Sequence, residues 1–172
     1  MRAALAIGAT TAALVGGATT VYAAPAVTSS SVRLRAEHSD KCLTVSGSRL
    51  GDAYAVQQSC ADDLDNQLFE LRSAGEGMIS VWAKHSGRCL GLAPHLTGEY
   101  VVQLWCVGAY PNERWRVMLV EVAKGLYELR SESPKDYCMT IPKSSQAEGE
   151  SALVQPCTGA PSQRWRIQSA AS

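Results

Sequence analysis

The sequence predicts an all-β fold built from three four-stranded repeats, each closed by its own disulfide. Three observations predict it. A turn-and-cysteine motif occurs three times, about 47 to 49 residues apart. Six cysteines fall in an alternating short and long rhythm. Short runs of alternating apolar and polar residues fill the chain between turn-forming residues, and no segment carries a sustained apolar stripe of period 3.6.

Residues 1–23 stand apart. They open on Met1-Arg2, run through an Ala-, Gly- and Thr-rich apolar segment and end Val21-Tyr22-Ala23, with small apolar residues where a signal peptidase reads. The segment lacks the ~20 strongly apolar residues of a membrane span. It is therefore read as a cleaved secretory signal, with residues 24–31 as a disordered leader and no membrane span. The 149 residues from Ala24 to Ser172 are one domain's worth. They hold fifteen basic and sixteen acidic residues. So balanced a surface gives no electrostatic reason to expect nucleic acid or an anionic membrane as partner.

The domain is expected over residues 32–170, with repeats at about 32–74, 78–120 and 126–168. Ala36-Glu37-His38-Ser39-Asp40-Lys41-Cys42-Leu43 returns as Ala83-Lys84-His85-Ser86-Gly87-Arg88-Cys89-Leu90. Ser131 to Met139 is a looser copy, one residue longer. Before the second cysteine stand Val56-Gln57-Gln58-Ser59, Val102-Gln103-Leu104-Trp105 and Leu153-Val154-Gln155-Pro156. In the first repeat the strands are expected near Val32–Ala36, Cys42–Val45, Ala55–Gln58 and Gln67–Arg72. Turns are expected at Ser39-Asp40, Ser46-Gly47, Ser86-Gly87, Gly98-Glu99 and Glu148-Gly149. Twelve short strands in three equal groups point to a closed architecture with no free edge.

Six cysteines allow 15 pairings in principle. Their separations of 18, 29, 17, 32 and 19 residues point to three local bridges: Cys42 with Cys60, Cys89 with Cys106 and Cys138 with Cys157. Closing a loop of about 18 residues contributes roughly 3 kcal/mol in the chain-entropy account. Phe69, Trp115 and Trp165 stand at equivalent places, one per repeat, and are read as core. No C-x-x-C occurs, which argues against zinc and redox chemistry.

Gln67-Leu68-Phe69, Glu113-Arg114-Trp115 and Gln163-Arg164-Trp165, with the paired cysteines and the H-S-x-basic-Cys-Leu turns, resemble the Gln-x-Trp signature of ricin B-type lectins, especially secreted bacterial ones. Phe69 and Glu113 depart from the signature. The resemblance covers about Val32 to Gln168. It implies a β-trefoil: a six-stranded barrel capped by three hairpins, with one shallow sugar pocket per repeat at most.

Such a pocket stacks an aromatic ring on a pyranose face and orients the hydroxyls with a carboxylate and an amide. The resemblance implies an Asp two residues after the first cysteine, but Thr44, Gly91 and Thr140 stand there. The second repeat is the best endowed. Trp105 matches the stacking ring, Gln103 lies two residues before it, and Asn112 matches the sugar-contacting amide. Glu99 or Tyr100 is a candidate for the missing contact. The first repeat keeps Gln57 and Asn66 but has Ser59 in place of the ring, and the third has Pro156 and Ser162. Structural roles compete throughout. Trp105 is equally suited to covering the Cys89–Cys106 bridge, and Asn66 and Asn112 to bonding turn backbone. Tyr54 and Tyr100 are read as packing residues, and Trp82 as a strand residue of the core or a hairpin cap.

No cofactor or metal is expected. Asp62, Asp63 and Asp65 read as a solvated acidic loop, and no G-x-S-x-G or H-E-x-x-H occurs. His38 and His85 occupy equivalent turns, which argues for structure rather than catalysis. The reading is a secreted, non-enzymatic carbohydrate-binding module with weak or degenerate sites, its partner a glycan or polysaccharide. The alternative is a lectin-fold accessory or inhibitor protein that binds a secreted or cell-surface protein and no sugar.

Overall fold

A computed structural model describes residues 30–47, 53–95, 98–107 and 110–170. The expected signal, and the leader up to residue 29, lie outside the described residues. The strands are β1 (Val32–Ala36), β2 (Cys42–Val45), β3 (Ala53–Gln58), β4 (Phe69–Gly75), β5 (Met78–Ala83) and β6 (Arg88–His95). They continue as β7 (Gly98–Leu104), β8 (Trp115–Glu121), β9 (Leu126–Ser131), β10 (Tyr137–Thr140), β11 (Leu153–Pro156) and β12 (Trp165–Ser169).

Six strands close a ring. β1 pairs with β4 and β12, β4 with β5, β5 with β8, β8 with β9, and β9 with β12, all antiparallel. Closure leaves this barrel no edge to template aggregation. The hairpins β2–β3, β6–β7 and β10–β11 cap one end. They join one another through β3–β7, β7–β11 and a bridge from Val56 to Ser151. The fold is a β-trefoil.

The core lies inside the barrel and beneath the cap. Phe69, Trp115 and Trp165 are fully buried there, with Leu34, Leu43, Leu90, Leu129, Met139 and Ile141. Each aromatic ring removes ~150–250 Å² from water. A buried indole also needs an acceptor. Trp115 Nε1 donates to the Leu90 carbonyl at 2.9 Å and Trp165 Nε1 to the Met139 carbonyl at 3.1 Å. Phe69 fills the same place in the first repeat and has no N–H to satisfy.

All three bridges form within their own repeats, Cys42–Cys60, Cys89–Cys106 and Cys138–Cys157, with Cα–Cα separations of 5.0 Å. Two local expectations are corrected. Gln67 belongs to a 3₁₀ turn, Asp65–Gln67, and its counterparts fall in turns Pro111–Glu113 and Pro161–Gln163. Gly98-Glu99 opens β7, pairing with His95 and Pro94 rather than forming a turn. Trp82 also differs from its expected place. It is half-buried on β5, outside the core, with the Arg72 guanidinium 3.9 Å from the ring centre and its Nε1 donating to Ser80 Oγ at 2.8 Å.

Candidate functional site

The residue two places before each core aromatic ties down the chain around the second cysteine. Gln67 Oε1 accepts from the Ala61 N–H at 2.9 Å, while its Nε2 donates to the Ser59 carbonyl at 2.9 Å. Gln163 repeats this with the Thr158 N–H at 2.8 Å and the Pro156 carbonyl at 2.9 Å. Glu113 accepts from the Val107 N–H at 3.0 Å. A carboxylate has no hydrogen for the Trp105 carbonyl, the counterpart of the Ser59 and Pro156 carbonyls.

The glutamines expected to meet sugar lie inside. Gln57 is fully buried; its Oε1 accepts from Ser39 Oγ at 2.8 Å, and its Nε2 donates to the Ser145 and Ala147 carbonyls at 2.7 and 2.9 Å. Gln103 is buried likewise and accepts from Ser86 Oγ at 2.9 Å. The serines come from the two His-Ser turns, so turn and strand are coupled in the same way in both repeats. Gln103 is therefore not brought together with Trp105 on one surface.

The amides Asn66 and Asn112 do matching work. Their Nδ2 groups donate to the Val45 and Leu92 carbonyls, each at 3.0 Å, and both residues are half-buried. Asn66 Oδ1 is buried without a donor among the described residues.

The positions where the resemblance implies an acid are sealed. Thr44 and Thr140 are buried, and their hydroxyls donate to the Cys42 and Cys138 carbonyls two residues back, at 3.2 and 2.8 Å. Thr44 Oγ1 also accepts from Gln67 Nε2 at 3.1 Å. A Cβ placed on Gly91 would stand 2.8 Å from Leu104 Cδ1, 3.1 Å from the Asn112 carbonyl oxygen and 3.2 Å from Glu113 Cγ.

A segment of the third repeat also covers the first. Besides receiving the Gln57 amide, residues 145–148 meet His38, whose Nε2 lies 3.0 Å from the Ser145 carbonyl oxygen. Glu148 is bonded by Lys41 Nζ, and it accepts from the Ser59 N–H and Oγ at 2.8 Å each. These bonds, that from Lys41 first, hold its carboxyl down to about 2 from the ordinary 4.5. Ser59, where the stacking ring is missing, is thus occupied by a carboxylate of the same chain.

The second repeat is open. Trp105 is 72% exposed just beyond the end of β7. The Arg88 guanidinium lies 4.1 Å from its ring centre, and Arg88 itself is only 4% exposed. One indole face therefore rests on a buried cation and the other meets solvent. Val107 and Tyr110 in the following segment are exposed as well. Tyr100, considered for a missing contact, makes an edge-on contact with Tyr54 at 5.5 Å and borders a cleft of about 550 Å³ with Lys143, Glu150 and Gln155. Arg88 was not singled out from sequence. Its signal was the register, since Cys89 pairs with Leu104 and places Arg88 beside Trp105.

The sequence profile of the ricin-type β-trefoil lectin domain matches residues 30–165. No curated protein sequence matches the chain. Among solved structures, the designed three-fold symmetric protein ThreeFoil is 28% identical, with 80% of this chain and 97% of that chain covered and a TM-score of 0.72. The Macrolepiota procera ricin B-like lectin, solved in complex with lactose, is 13% identical over 85% of this chain and 99% of that one, at a TM-score of 0.67. The exo-β-1,3-galactanase 1,3Gal43A of Clostridium thermocellum is 21% identical at a TM-score of 0.72. The match covers 83% of this chain and 31% of that larger one.

Proposed function

From the premise that the chain belongs to the ricin-type β-trefoil lectin domain family, we propose that it is a secreted carbohydrate-binding module that holds sugar weakly, through the second repeat. One observation carries the reading: Trp105 offers a bare indole face, backed by Arg88, on a fold whose other repeats offer no ring at that place. A pyranose stacks its apolar C–H face on such a ring. The backing cation fixes the indole and limits the ordering cost of binding.

The remaining predicted residues act as scaffold in this reading. Gln57, Gln103, Asn66 and Asn112 hold the strands and turns through backbone and serine bonds. With no acid at Thr44, Gly91 or Thr140, the hydroxyls lose the charge-assisted acceptor that would orient them, which is why affinity is low. Secretion is supported by the three disulfides, which persist in oxidising compartments, and by the signal-like residues 1–23. Among the described residues no helix is long and apolar enough to cross a membrane.

Isothermal titration with lactose and a β-1,3-galactan tests the proposal, because these are sugars of the structural neighbours. Millimolar binding that Trp105→Ala weakens at least tenfold supports it. Equal binding by wild type and Trp105→Ala, or none by wild type, refutes it.

A second reading has its own observation. Met118, Leu119, Val120 and Val122 are exposed at the tip of the β8–β9 hairpin, Val122 by 80%. Exposed apolar runs of this kind serve protein contacts. Cross-linking in the native secretome that recovers one partner, lost on Leu119→Lys and Val122→Lys, favours that reading; recovery of none counts against it.

A further inference from the structure

We propose that the pocket between β8, β9 and the β9–β10 turn is a second binding site, one that takes the carboxylate of an acidic sugar residue, a hexuronate. The pocket holds about 290 Å³ and is lined by Met78, Arg116, Arg130, Glu132, Lys135 and Asp136. Neither Trp105 nor Arg88 lines it, so it stands independently of the sugar site proposed above.

The molecule's own pseudo-symmetry points to the site. Arg116 and Arg130 are direct cross-strand partners. Like charges set directly opposite on neighbouring strands destabilise the pair unless an anion joins them. The same arrangement occurs one repeat away, where Arg166 pairs directly with Arg35. There the turn supplies the anion. Asp40 Oδ2 bonds Arg35 Nη2 at 2.6 Å and Asp40 Oδ1 lies 3.3 Å from Arg166 Nη1. A single carboxylate bridges the two guanidinium groups. In the remaining repeat the corresponding pair is Glu70 and Trp82, so no bridge is needed.

The counterpart of Asp40 in the β9–β10 turn is Asp136, with almost the same backbone, φ 62° against 61°. Among the described residues Asp136 makes no such bridge. Arg130 is turned away to Glu128, at 2.9 Å from Nε and 2.7 Å from Nη2. Glu132 is taken by Arg114 at 3.2 Å. Among the described residues neither Arg116 nor Lys135 has an acidic partner within 4.0 Å. With those pairs set aside, Arg116 and Lys135 line the pocket with one acid, Asp136, and among the described residues no carboxylate bridges Arg116 to Arg130 as Asp40 bridges Arg35 to Arg166. A planar carboxylate suits an arginine fork better than a spherical anion does. The buried Met78 gives the floor an apolar patch for the sugar ring.

Arginine Nε–H NMR on the full mature chain tests this, with galacturonate, its methyl ester, galactose and galactose 6-sulfate as probes. The proposal expects galacturonate to shift the Arg116 Nε–H signal in saturable fashion, and Arg116→Gln to weaken that binding at least tenfold. Arg166→Gln, at the pair already bridged, should leave it unchanged. The ester and galactose should leave Arg116 unmoved. Four outcomes overturn the proposal: no shift with galacturonate, an ester that binds as tightly as the acid, a sulfate that binds more tightly, or an Arg116→Gln chain that binds as wild type. The indole N–H signals of Trp115 and Trp165, bonded inside the core, report the folding of Arg116→Gln, and lactose read on Trp105 tests the other site separately.

Discussion

Replacing Gly91 asks whether the acid-bearing pocket of the second repeat is truly closed. Its backbone is not in the left-handed region, so alanine fits the main chain, and only space opposes it. The added Cβ would stand 2.8 Å from Leu104 Cδ1 and 3.1 Å from the Asn112 carbonyl oxygen. The leucine tip can rotate away, but the carbonyl is backbone. Overpacking of this kind costs ~1–3 kcal/mol, offset by ~0.4–1 kcal/mol from a less flexible unfolded chain. Gly91→Ala should therefore lose between about 0 and 2.6 kcal/mol in urea unfolding. Gly91→Asp brings a carboxylate beside the buried Glu113, with Glu113 Cγ 3.2 Å from its Cβ, and should lose at least ~2 kcal/mol more. The melting temperature follows at roughly 2–4 °C per kcal/mol for a chain of this size. If Gly91→Asp unfolds at the wild-type midpoint and binds lactose more tightly, the pocket was open and the reasoning fails.

Two further outcomes follow from the same structure. Gln163→Leu removes a buried amide that serves the Thr158 N–H and the Pro156 carbonyl, and should destabilise by ~2–4 kcal/mol in calorimetry; a loss under ~0.5 kcal/mol would mean that water replaces both bonds. Glu148 has a folded pKa below its ordinary value, so the anchoring it gives is full above pH about 4.5 and is lost as pH falls towards about 2. Exchange of the Gln57 side-chain amide, bonded to Ser145 and Ala147, should quicken across that window in wild type and be fast throughout in Glu148→Gln, whereas a flat profile in wild type would mean that Glu148 does not anchor residues 145–148 over Gln57.

Much of the architecture was legible because it repeats. The cysteine rhythm, the His-Ser turns and the three aromatic positions each appear three times or nearly so, and a trefoil needs one copy per third of the barrel. Gly98-Glu99 was misread as a turn because composition marks turn residues and not register; both residues pair within the hairpin, with His95 and Pro94. The glutamines were harder to read. Gln57 is in phase with the core residues Ala53 and Ala55 on β3, so period-two alternation already pointed it inward. What burial required was a lid from residues 145 and 147, and contacts 88 and 90 residues away in the chain leave no local mark. The Arg88–Trp105 stack was hidden in the same way, since it depends on hairpin register and not on spacing.

The tryptophan indole N–H signals test the central claim most directly. The chain has four tryptophans. Trp115 and Trp165 donate to core carbonyls and Trp82 to Ser80, while Trp105 is open. On titration with lactose the account predicts a saturable shift of the Trp105 indole, with the other three still. A saturable shift at any other indole with Trp105 unmoved, or no shift at all, would contradict it.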